Sequence, residues 1–278
     1  MTTVYPLNFK LGPVEVTGYG IMMMVAFLVG GWLMTRDLRE RGLRNEYAAD
    51  MTVAAVIGGI VGAKLWFAAA TGDWDSLFSR GGLVWYGGFI GGVAAVLLNG
   101  RRLRVPMRWT MELTAPALAA AYALGRLGCF MVGDDYGVPS SLPWAVKFPQ
   151  GIPPTTAGNL AADFHVAIPE GVTPETVLAV HPTQLYEAVI MLAAFMLLWR
   201  LRGHRNGTGW LFGLYLVFAG LERFLVEFVR AKDDYAVGGF TLAQLVALGV
   251  VLVGGLLLAR FRTAGAAPPG PYLGERTG

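Results

Sequence analysis

Seven apolar runs, separated by short polar segments, organise the chain. Each run is long enough to cross a bilayer, which takes about 20 residues of α-helix. The runs cover residues 18–35, 51–71, 81–99, 112–133, 181–199, 209–229 and 239–259. This pattern predicts an all-α membrane protein with seven transmembrane helices in a single domain, residues 1–262.

Basic residues are distributed unevenly between the two sets of loops. The loops after the first, third and fifth runs, together with the C-terminal tail, hold 14 Lys and Arg. The opposite set holds five, namely Lys10, Arg80, Lys147, Arg230 and Lys232. The positive-inside rule then places the N-terminus outside and the C-terminus in the cytoplasm.

Two segments lie outside the seven runs. Residues 134–180 form a long outer-side loop rich in Pro, Gly and Ser, and loops of this length are usually functional or disordered. Its prolines predict no regular helix, although Trp144, Phe148 and Phe164 are able to pack a small cap. Residues 263–278 contain closely spaced prolines, which predicts a disordered cytoplasmic tail.

Composition agrees with a membrane protein. The chain is 55% hydrophobic and 15% charged, and its mean hydropathy is +0.51. The pI near 9.1 does not indicate a nucleic-acid partner, because the basic residues form short clusters between apolar runs. A single cysteine excludes an intrachain disulfide. The N-terminus lacks the basic region of a cleaved signal peptide, so we expect the first run to be retained.

Polar residues within the predicted helices gather at one depth, near the outer leaflet. An arginine at membrane depth costs about 2.5–3.5 kcal/mol on insertion scales, so such residues indicate function. The residues at this depth are Tyr19, Lys64, Tyr86, Arg126, Cys129, Asp134, His181, Gln184, Glu187, Glu222, Arg223, Glu227 and Arg230. They predict a polar chamber in which arginines bind a phospholipid headgroup. The alternative is a set of interhelical ion pairs that only fix packing.

Spacing supports the chamber. Arg223, Glu227 and Arg230 follow each other at i, i+4 and i+7, and His181, Gln184 and Glu187 step by three, so each set shares one helix face. The glycines of the second and third runs predict close helix packing. Tyr86-Gly87-Gly88 instead predicts a local opening of the helix beside a ligand.

Three motifs resemble those of the prolipoprotein diacylglyceryl transferases of bacterial inner membranes. Segment 125–137 (GRLGCFMVGDDYG) resembles the arginine-bearing signature of that family. Segment 181–187 (HPTQLYE) matches its HP[ST]QLYE stretch, and segment 223–230 (RFLVEFVR) matches its RFxxEFxR stretch. The remaining positions with counterparts in that family are Tyr19-Gly20, Gly62-Ala63-Lys64 and Gln244.

The resemblance implies transfer of diacylglyceryl from phosphatidylglycerol to the lipobox cysteine thiol of a prolipoprotein, forming a thioether and releasing glycerol phosphate. It implies a site that faces the periplasmic leaflet and uses no cofactor or metal. Arg126 and Arg223 would bind the phosphate, while Glu187, Glu227 and Tyr19 would order the site. The other residues that we assign to headgroup binding and site ordering are Lys64, Gly87, Gly88, Cys129, Asp134, Gly137, Gln184 and Arg230.

Three positions differ from that family's usual pattern: Tyr86 replaces a histidine proposed as the base, Cys129 an asparagine, and Asp134 a glutamate. A free tyrosine has a pKa near 10 and is a weak base at neutral pH. Glu187 is the first candidate for the base, followed by Tyr86 and His181. Glu187 could instead pair with an arginine, and His181 could cap its helix.

Other interpretations stay open at this point. Cys129 is an acyl or diacylglyceryl acceptor or, more simply, a small apolar filler. Two adjacent carboxylates, Asp134 and Asp135, are weak grounds for a metal and suit a turn better. The rival functions are a paralogue with another acceptor, and a transporter or non-catalytic phospholipid-binding protein. No repeat pattern of the kind found in transporters is visible.

Overall fold

The computed structural model describes residues 2–12, 14–78, 84–168, 170–232 and 235–274. Arg80 and Arg276, counted above for topology, lie outside the described residues, as do residues 81–83 at the start of the third run. The helices are α1 (Gly18–Glu40), α2 (Glu46–Thr71), α3 (Trp85–Arg102), α4 (Met107–Val132), α5 (Ala157–Phe164), α6 (Thr183–Arg200), α7 (Trp210–Val226), α8 (Leu242–Arg262) and α9 (Gly270–Gly274). The strands are β1 (Thr2–Thr3), β2 (Asn8–Leu11), β3 (Val14–Thr17), β4 (Val146–Lys147), β5 (Tyr235–Val237) and β6 (Phe240–Thr241).

Five helices in the described part of the chain are long and apolar enough to cross a membrane. They are α1, α2, α4, α6 with the turn that follows it, and α8. The two remaining long helices, α3 and α7, have 18 and 17 residues. They pack antiparallel along α2 and α8, respectively. The structure is therefore that of an all-α membrane protein.

Helix α4 lies at the centre of the bundle, because one of its faces is lined with alanine. Ala115, Ala119 and Ala123 are buried in one cluster with Met191 of α6 and Leu211 of α7. Small side chains let the helix axes approach closely, which is how helices associate in lipid. Helix α4 also packs along α1 and so connects both halves of the bundle.

Glycines hold α2 against α3. A Cβ atom added to Gly62 would collide with the carbonyl oxygen of Gly87 and the Cα of Gly91. Gly87 in turn faces Trp66 and the backbone of Gly62, while Gly88 faces the carbonyl oxygen of Gly59. Helix α3 is continuous from Trp85 to Arg102. The predicted helix opening at Tyr86-Gly87-Gly88 is therefore wrong, because both glycines are used for helix packing.

Gly62→Ala is expected to destabilise the protein by about 1–3 kcal/mol, the usual cost of overpacking. A matched control is Gly255→Ala in α8, where an added Cβ meets no atom within 4 Å. That control is expected to gain up to about 1 kcal/mol, because alanine favours a helix. Thermal unfolding in detergent measures both variants. Equal melting temperatures for Gly62→Ala and the parent protein would contradict the packing argument.

The two ends of the bundle carry different structures. We call the end where α1 begins and α4 ends the cap end, because the segment between α4 and α6 covers it. Within that cap Tyr136, Phe148, Leu160 and Val180 are buried together, and Phe164 packs partly buried against them. Trp144 is 57% exposed and does not belong to this core.

The opposite end, which we call the tail end, is covered by residues 264–274. Leu273 is fully buried in one cluster with Tyr47 of α2. The side chains of Arg108 and Trp109 donate hydrogen bonds to the carbonyl oxygens of Gly265 (3.1 Å) and Ala267 (3.0 Å). This packing differs from the disordered tail predicted from the prolines. The prolines prevent a long helix, but Leu273 still anchors the segment in an apolar pocket.

Candidate functional site

Arg126 lies in the last turns of α4 at the cap end, and each nitrogen of its guanidinium contacts a polar group. Its Nε lies 3.0 Å from Glu187 Oε2 of α6. Its Nη1 donates to Asp135 Oδ2 at 2.8 Å, and its Nη2 donates to the Tyr122 hydroxyl at 3.2 Å. The side chain is only 16% exposed. Arginine suits this place because its planar fork can hold several acceptors at once.

A tight turn after α4 brings Asp135 back to Arg126. Gly133 ends the helix with a left-handed conformation (φ +71°), and Asp135 also has a positive φ of +55°. The side chains of Thr183 and Gln184 then donate to the backbone carbonyl oxygens of Asp135 (2.7 Å) and Asp134, respectively. The HPTQLYE segment therefore fixes the turn from the start of α6. Because Gln184 binds a backbone carbonyl group of this turn, its role here is to order the turn.

Glu187 joins two arginines from different helices. Its carboxylate is 1% exposed and lies between Arg126 of α4 and Arg223 of α7, whose Nη1 is 3.8 Å from Glu187 Oε1. Arg223 Nη2 lies 3.0 Å from Glu227, four residues further along the same stripe. Arg223 Nη1 is buried and makes no hydrogen bond. Burying a guanidinium N–H without an acceptor costs free energy. An anionic oxygen bound next to Arg223 Nη1 would accept this hydrogen bond and remove that cost.

Arg230 and Glu227 complete the group. Arg230 pairs with Asp135, so this carboxylate is shared by two arginines. Glu227 accepts from the Thr241 hydroxyl at 3.1 Å, and Thr241 forms a capping box with Gln244 at the start of α8. We call Arg126, Arg223, Arg230, Asp135, Glu187 and Glu227 the arginine cluster. It draws on α4, α6, α7 and the turns beside them.

Three members of this site were not assigned from the sequence. Tyr122 lies one helical turn before Arg126 on the same face of α4, so spacing alone could have found it. Its hydroxyl lies 3.3 Å from Glu222 Oε2 and 3.5 Å from Glu187 Oε1. Glu222 was placed at the right depth but received no role. Asp135 depends on the turn after α4, which spacing does not predict.

Asp134 lies beside the arginine cluster but is not bound by an arginine. Its Oδ1 is buried and makes no hydrogen bond. Burial, reinforced by the negative charge of Asp135, raises the pKa of Asp134 to about 6. Burial also acts to raise the pKa of Asp135, but Arg230 and Arg126 outweigh it and lower that pKa below its usual value. The two adjacent carboxyl groups thus have opposite environments.

Cys129 and Tyr19 line the same side of the site. Cys129 is buried, and Arg126 Nη1 lies 3.8 Å from its sulfur. Gly128 packs directly against Tyr19 of α1, which places this tyrosine next to the final turns of α4. Gly137 is also buried, and an added Cβ would collide with the carbonyl oxygen of Val229 and with His181. Gly137 therefore contributes to the shape of the turn, where a larger residue would not fit.

Two of the predicted residues lie on a separate helix pair. Lys64 of α2 donates to the carbonyl oxygen of Ser76 at 3.0 Å. Tyr86 is 65% exposed near the start of α3, which packs mainly on α2. Neither takes part in the hydrogen bonds and ion pairs given above for the arginine cluster. Both lie in the cap-end half of the bundle, on the α2–α3 pair, and their assignment to the site stays a prediction.

His181 contacts a different set of residues. Its Nδ1 lies 3.2 Å from the Tyr186 hydroxyl, which also accepts a hydrogen bond from Trp144 at 2.8 Å. Burial lowers the pKa of His181. The Trp144 N–H can only donate, whereas a hydroxyl donates once and accepts twice, so the tautomer of His181 decides the direction of its hydrogen bond with Tyr186. This arrangement engages Nδ1 of His181, and a role of His181 as the base stays a prediction.

One group among the described residues has the composition of a metal site. Ligand atoms of Cys129, Asp134 and Asp135 lie within 4.8 Å of one another. Asp135 is already bound by two arginines, and a cation beside them would be repelled. We therefore assign this group no role in metal binding.

Fold and site together define a class. The protein is a multi-pass helical membrane protein whose cap end brings three arginines and buried carboxylates to one place, and one buried guanidinium nitrogen there, Arg223 Nη1, makes no hydrogen bond. Such a site is suited to hold an anionic oxygen group such as a phosphate.

Comparison with known proteins identifies the family. The model of the family described as prolipoprotein diacylglyceryl transferase matches residues 6–260. The chain belongs to this family, which confirms the resemblance found in its motifs.

The sequences of relatives are similar to this chain along nearly its whole length. All three compared here are named phosphatidylglycerol–prolipoprotein diacylglyceryl transferase. The relative from Xanthomonas oryzae pv. oryzae is 32% identical over 95% of this chain and 93% of its own length. That from Nitratidesulfovibrio vulgaris is 30% identical over 95% and 96%. That from Clostridium tetani is 29% identical over 90% and 94%.

Proposed function

We propose that the protein transfers the diacylglyceryl group of phosphatidylglycerol to the lipobox cysteine thiol of bacterial prolipoproteins. The family match over residues 6–260 carries this proposal. The arginine cluster supports it independently, because the reaction needs a site for a phosphate that gains charge. No step in the transfer needs a metal or an organic cofactor.

We also propose how the protein lies in the bacterial inner membrane. Helices α3 and α7 complete seven spans with the five longer helices, since they pack along α2 and α8. The cap end faces the periplasm and the tail end the cytoplasm. The 14 basic residues of the tail-end loops against five at the cap end favour this orientation.

The phosphate of the lipid binds between Arg223 and Arg126. Arg223 Nη1 is a buried donor without an acceptor, so a phosphate oxygen satisfies it directly. Glu187 and Asp135 hold the two guanidiniums in place before the lipid arrives. Preorganised charges of this kind need no rearrangement as the reaction proceeds.

The reaction is a displacement at carbon. The thiol sulfur attacks the carbon of the diacylated glycerol that carries the phosphate oxygen, a carbon–sulfur bond forms and the bond between that carbon and that oxygen breaks. Glycerol phosphate leaves with the bonding electron pair, and its new negative charge lies against Arg126 and Arg223. The thiol has a pKa near 8.5, so a base that takes its proton increases the rate at neutral pH.

We propose Asp134 as that base. Glu187 was the first candidate from the sequence, but its carboxylate is already paired with Arg126 and Arg223. Asp134 has a buried oxygen without a hydrogen bond and a pKa near 6. Such a group is ionised at neutral pH and still accepts a proton readily.

A transferase assay tests the function. The purified protein is placed in vesicles that contain phosphatidylglycerol and is given a lipobox peptide, with a cysteine-to-serine peptide as the control. We expect the cysteine peptide to gain the mass of one diacylglyceryl group and glycerol phosphate to be released in equal amount. The serine peptide stays unmodified.

Absence of both products, while a relative is active in the same vesicles, would contradict the proposal. Product on another acceptor would favour a paralogous transferase. Lipid binding or movement across the vesicle without either product would favour the transporter or lipid-binding alternative.

A further inference from the structure

A short β-hairpin precedes the first long helix and has two different faces. Strand β2 pairs antiparallel with β3, so that Phe9 lies opposite Val16 and Lys10 opposite Glu15. Directly opposed side chains share a face, and successive residues alternate between faces. Phe9, Val16 and Leu11 therefore form an apolar face, while Lys10 and Glu15 belong to a charged face.

The apolar face of the hairpin is not covered by the described part of the protein. Phe9 is 43% exposed and Leu11 is 62% exposed, as is Tyr5 just before the hairpin. None of them belongs to the three buried clusters found among the described residues. Several large apolar side chains exposed side by side mark a surface that binds something.

The base of the hairpin lies at the level where the membrane-crossing helices end. Strand β3 continues directly into α1, and Gly18 N donates to the carbonyl oxygen of Leu7 at 2.6 Å. Leu7 N donates to the carbonyl oxygen of Met131, in the last turn of α4, at 2.9 Å. Because α1 and α4 both have the length and composition of membrane spans, the hairpin starts at the boundary of the hydrocarbon layer.

The dimensions of the hairpin and the bilayer distinguish two orientations. A four-residue strand is about 13 Å long at roughly 3.3 Å per residue. The headgroup layer on each side of the hydrocarbon is about 5–8 Å thick. An upright hairpin would therefore carry Leu11 through the headgroups into water. A flat hairpin places its apolar face against the acyl chains and its charged face toward water, as in other interfacial amphipathic elements.

The lipid-facing surface of α1 continues toward the hairpin. Met24, Leu28 and Trp32 are 57–65% exposed and follow each other every four residues, which gives one apolar stripe along the helix. The hairpin is joined to α1 without a linker. A lipid occupant covers both surfaces at once, whereas a peptide or a second protein molecule would have to compete with lipid at this level.

We propose that the hairpin strands β2 and β3 lie flat in the interfacial layer at the cap end and that β2 binds the lipid surface through Phe9 and Leu11. It acts as a membrane anchor for the end of α4, through the Leu7–Met131 hydrogen bond. The anchor fixes the level of the arginine cluster relative to the headgroups. This proposal does not depend on the transferase activity proposed above.

Adjacent residues on opposite faces of the hairpin provide the test. Leu11→Cys and Lys10→Cys are made singly, and Phe9→Cys with Glu15→Cys repeat the comparison. The parent chain has only Cys129, which is buried, so unsubstituted protein measures the labelling background. Each cysteine carries a nitroxide in lipid vesicles. Its collision rates with oxygen, which concentrates in lipid, and with a water-soluble nickel chelate are recorded.

We expect labels at positions 9 and 11 to collide mainly with oxygen and labels at positions 10 and 15 mainly with nickel. The ratio of the two rates should change severalfold between neighbours. Equal and high nickel collision rates at all four positions would overturn the proposal, since the hairpin would stand in water. Low rates for both reagents at positions 9 and 11 would also overturn it, since protein would then cover the apolar face.

Discussion

Arg126→Ala is expected to lower kcat for diacylglyceryl transfer by about 100- to 1,000-fold, the usual effect of removing one donor that stabilises a developing anion. The loss is larger than that of a single phosphate contact because Arg126 also holds Glu187 and Asp135. Arg126→Lys is expected to be nearly as inactive, since an ammonium cannot contact these groups and Tyr122 in one plane. Labelled lipid and lipobox peptide measure both variants.

Arg202→Ala is the matched control for this experiment. Arg202 lies at the tail end, where its Nη1 pairs with Asp37 at 3.1 Å and Glu40 at 2.9 Å. Its side chain is 15% exposed, close to the 16% of Arg126. Both variants remove one of the two arginines that pair with a buried carboxylate, Glu187 or Asp37, and should lower the melting temperature. Only Arg126→Ala should abolish transfer. Comparable activity in both variants would show that Arg126 has a structural role alone.

The sequence predicts the position of a residue along the helix axes better than its position around them. Hydropathy measures where a residue lies along the membrane normal, and the residues at the predicted polar level do lie toward the cap end. It contains no information on the rotation of one helix against another. Tyr86 and Arg126 share a depth, yet Tyr86 lies on the α2–α3 pair and is exposed.

Contacts within one helix could be predicted, whereas contacts between helices could not. The Arg223–Glu227 ion pair follows from i, i+4 spacing and is present at 3.0 Å. The Arg126–Glu187 pair joins α4 to α6, and it depends on the alanine face that lets these helices approach. Asp135 reaches Arg126 only because Gly133 and Asp135 adopt left-handed conformations. Apolar periodicity does not encode either feature.

Helix boundaries differ from the apolar runs for a simple reason. The first run was placed at residues 18–35, whereas α1 extends to Glu40. Hydropathy marks the part of a helix that lies in hydrocarbon, and polar turns continue the same helix beyond it. The tail shows the opposite limit: composition predicted disorder, whereas the buried side chain of Leu273 and hydrogen bonds from Arg108 and Trp109 hold residues 264–274 against the bundle.

Asp134→Asn is expected to lower kcat by about 100- to 10,000-fold and to change the shape of the pH profile. The pKa of Asp134 is raised to about 6, so in the parent protein the base is protonated below that pH and ionised above it. Activity of the parent should therefore rise through about pH 6 and then level off. The asparagine variant cannot take the thiol proton at any pH, so the rise in activity near pH 6, the acid limb of the pH profile, should disappear. The rate of transfer measured between pH 5 and 8 checks the prediction.

Asp135→Asn separates the base from its neighbour. Arg230 and Arg126 keep the pKa of Asp135 low, so this carboxylate is ionised throughout the range and only orders the arginines. Its asparagine variant should lose activity but keep the limb near pH 6.

The stability of Asp134→Asn gives a second readout, because a raised carboxyl pKa means that the ionised form of Asp134 destabilises the fold. Asp134→Asn should thus melt higher than the parent protein above pH 6, and the difference should vanish below about pH 4. An unchanged limb in Asp134→Asn would exclude Asp134 as the base.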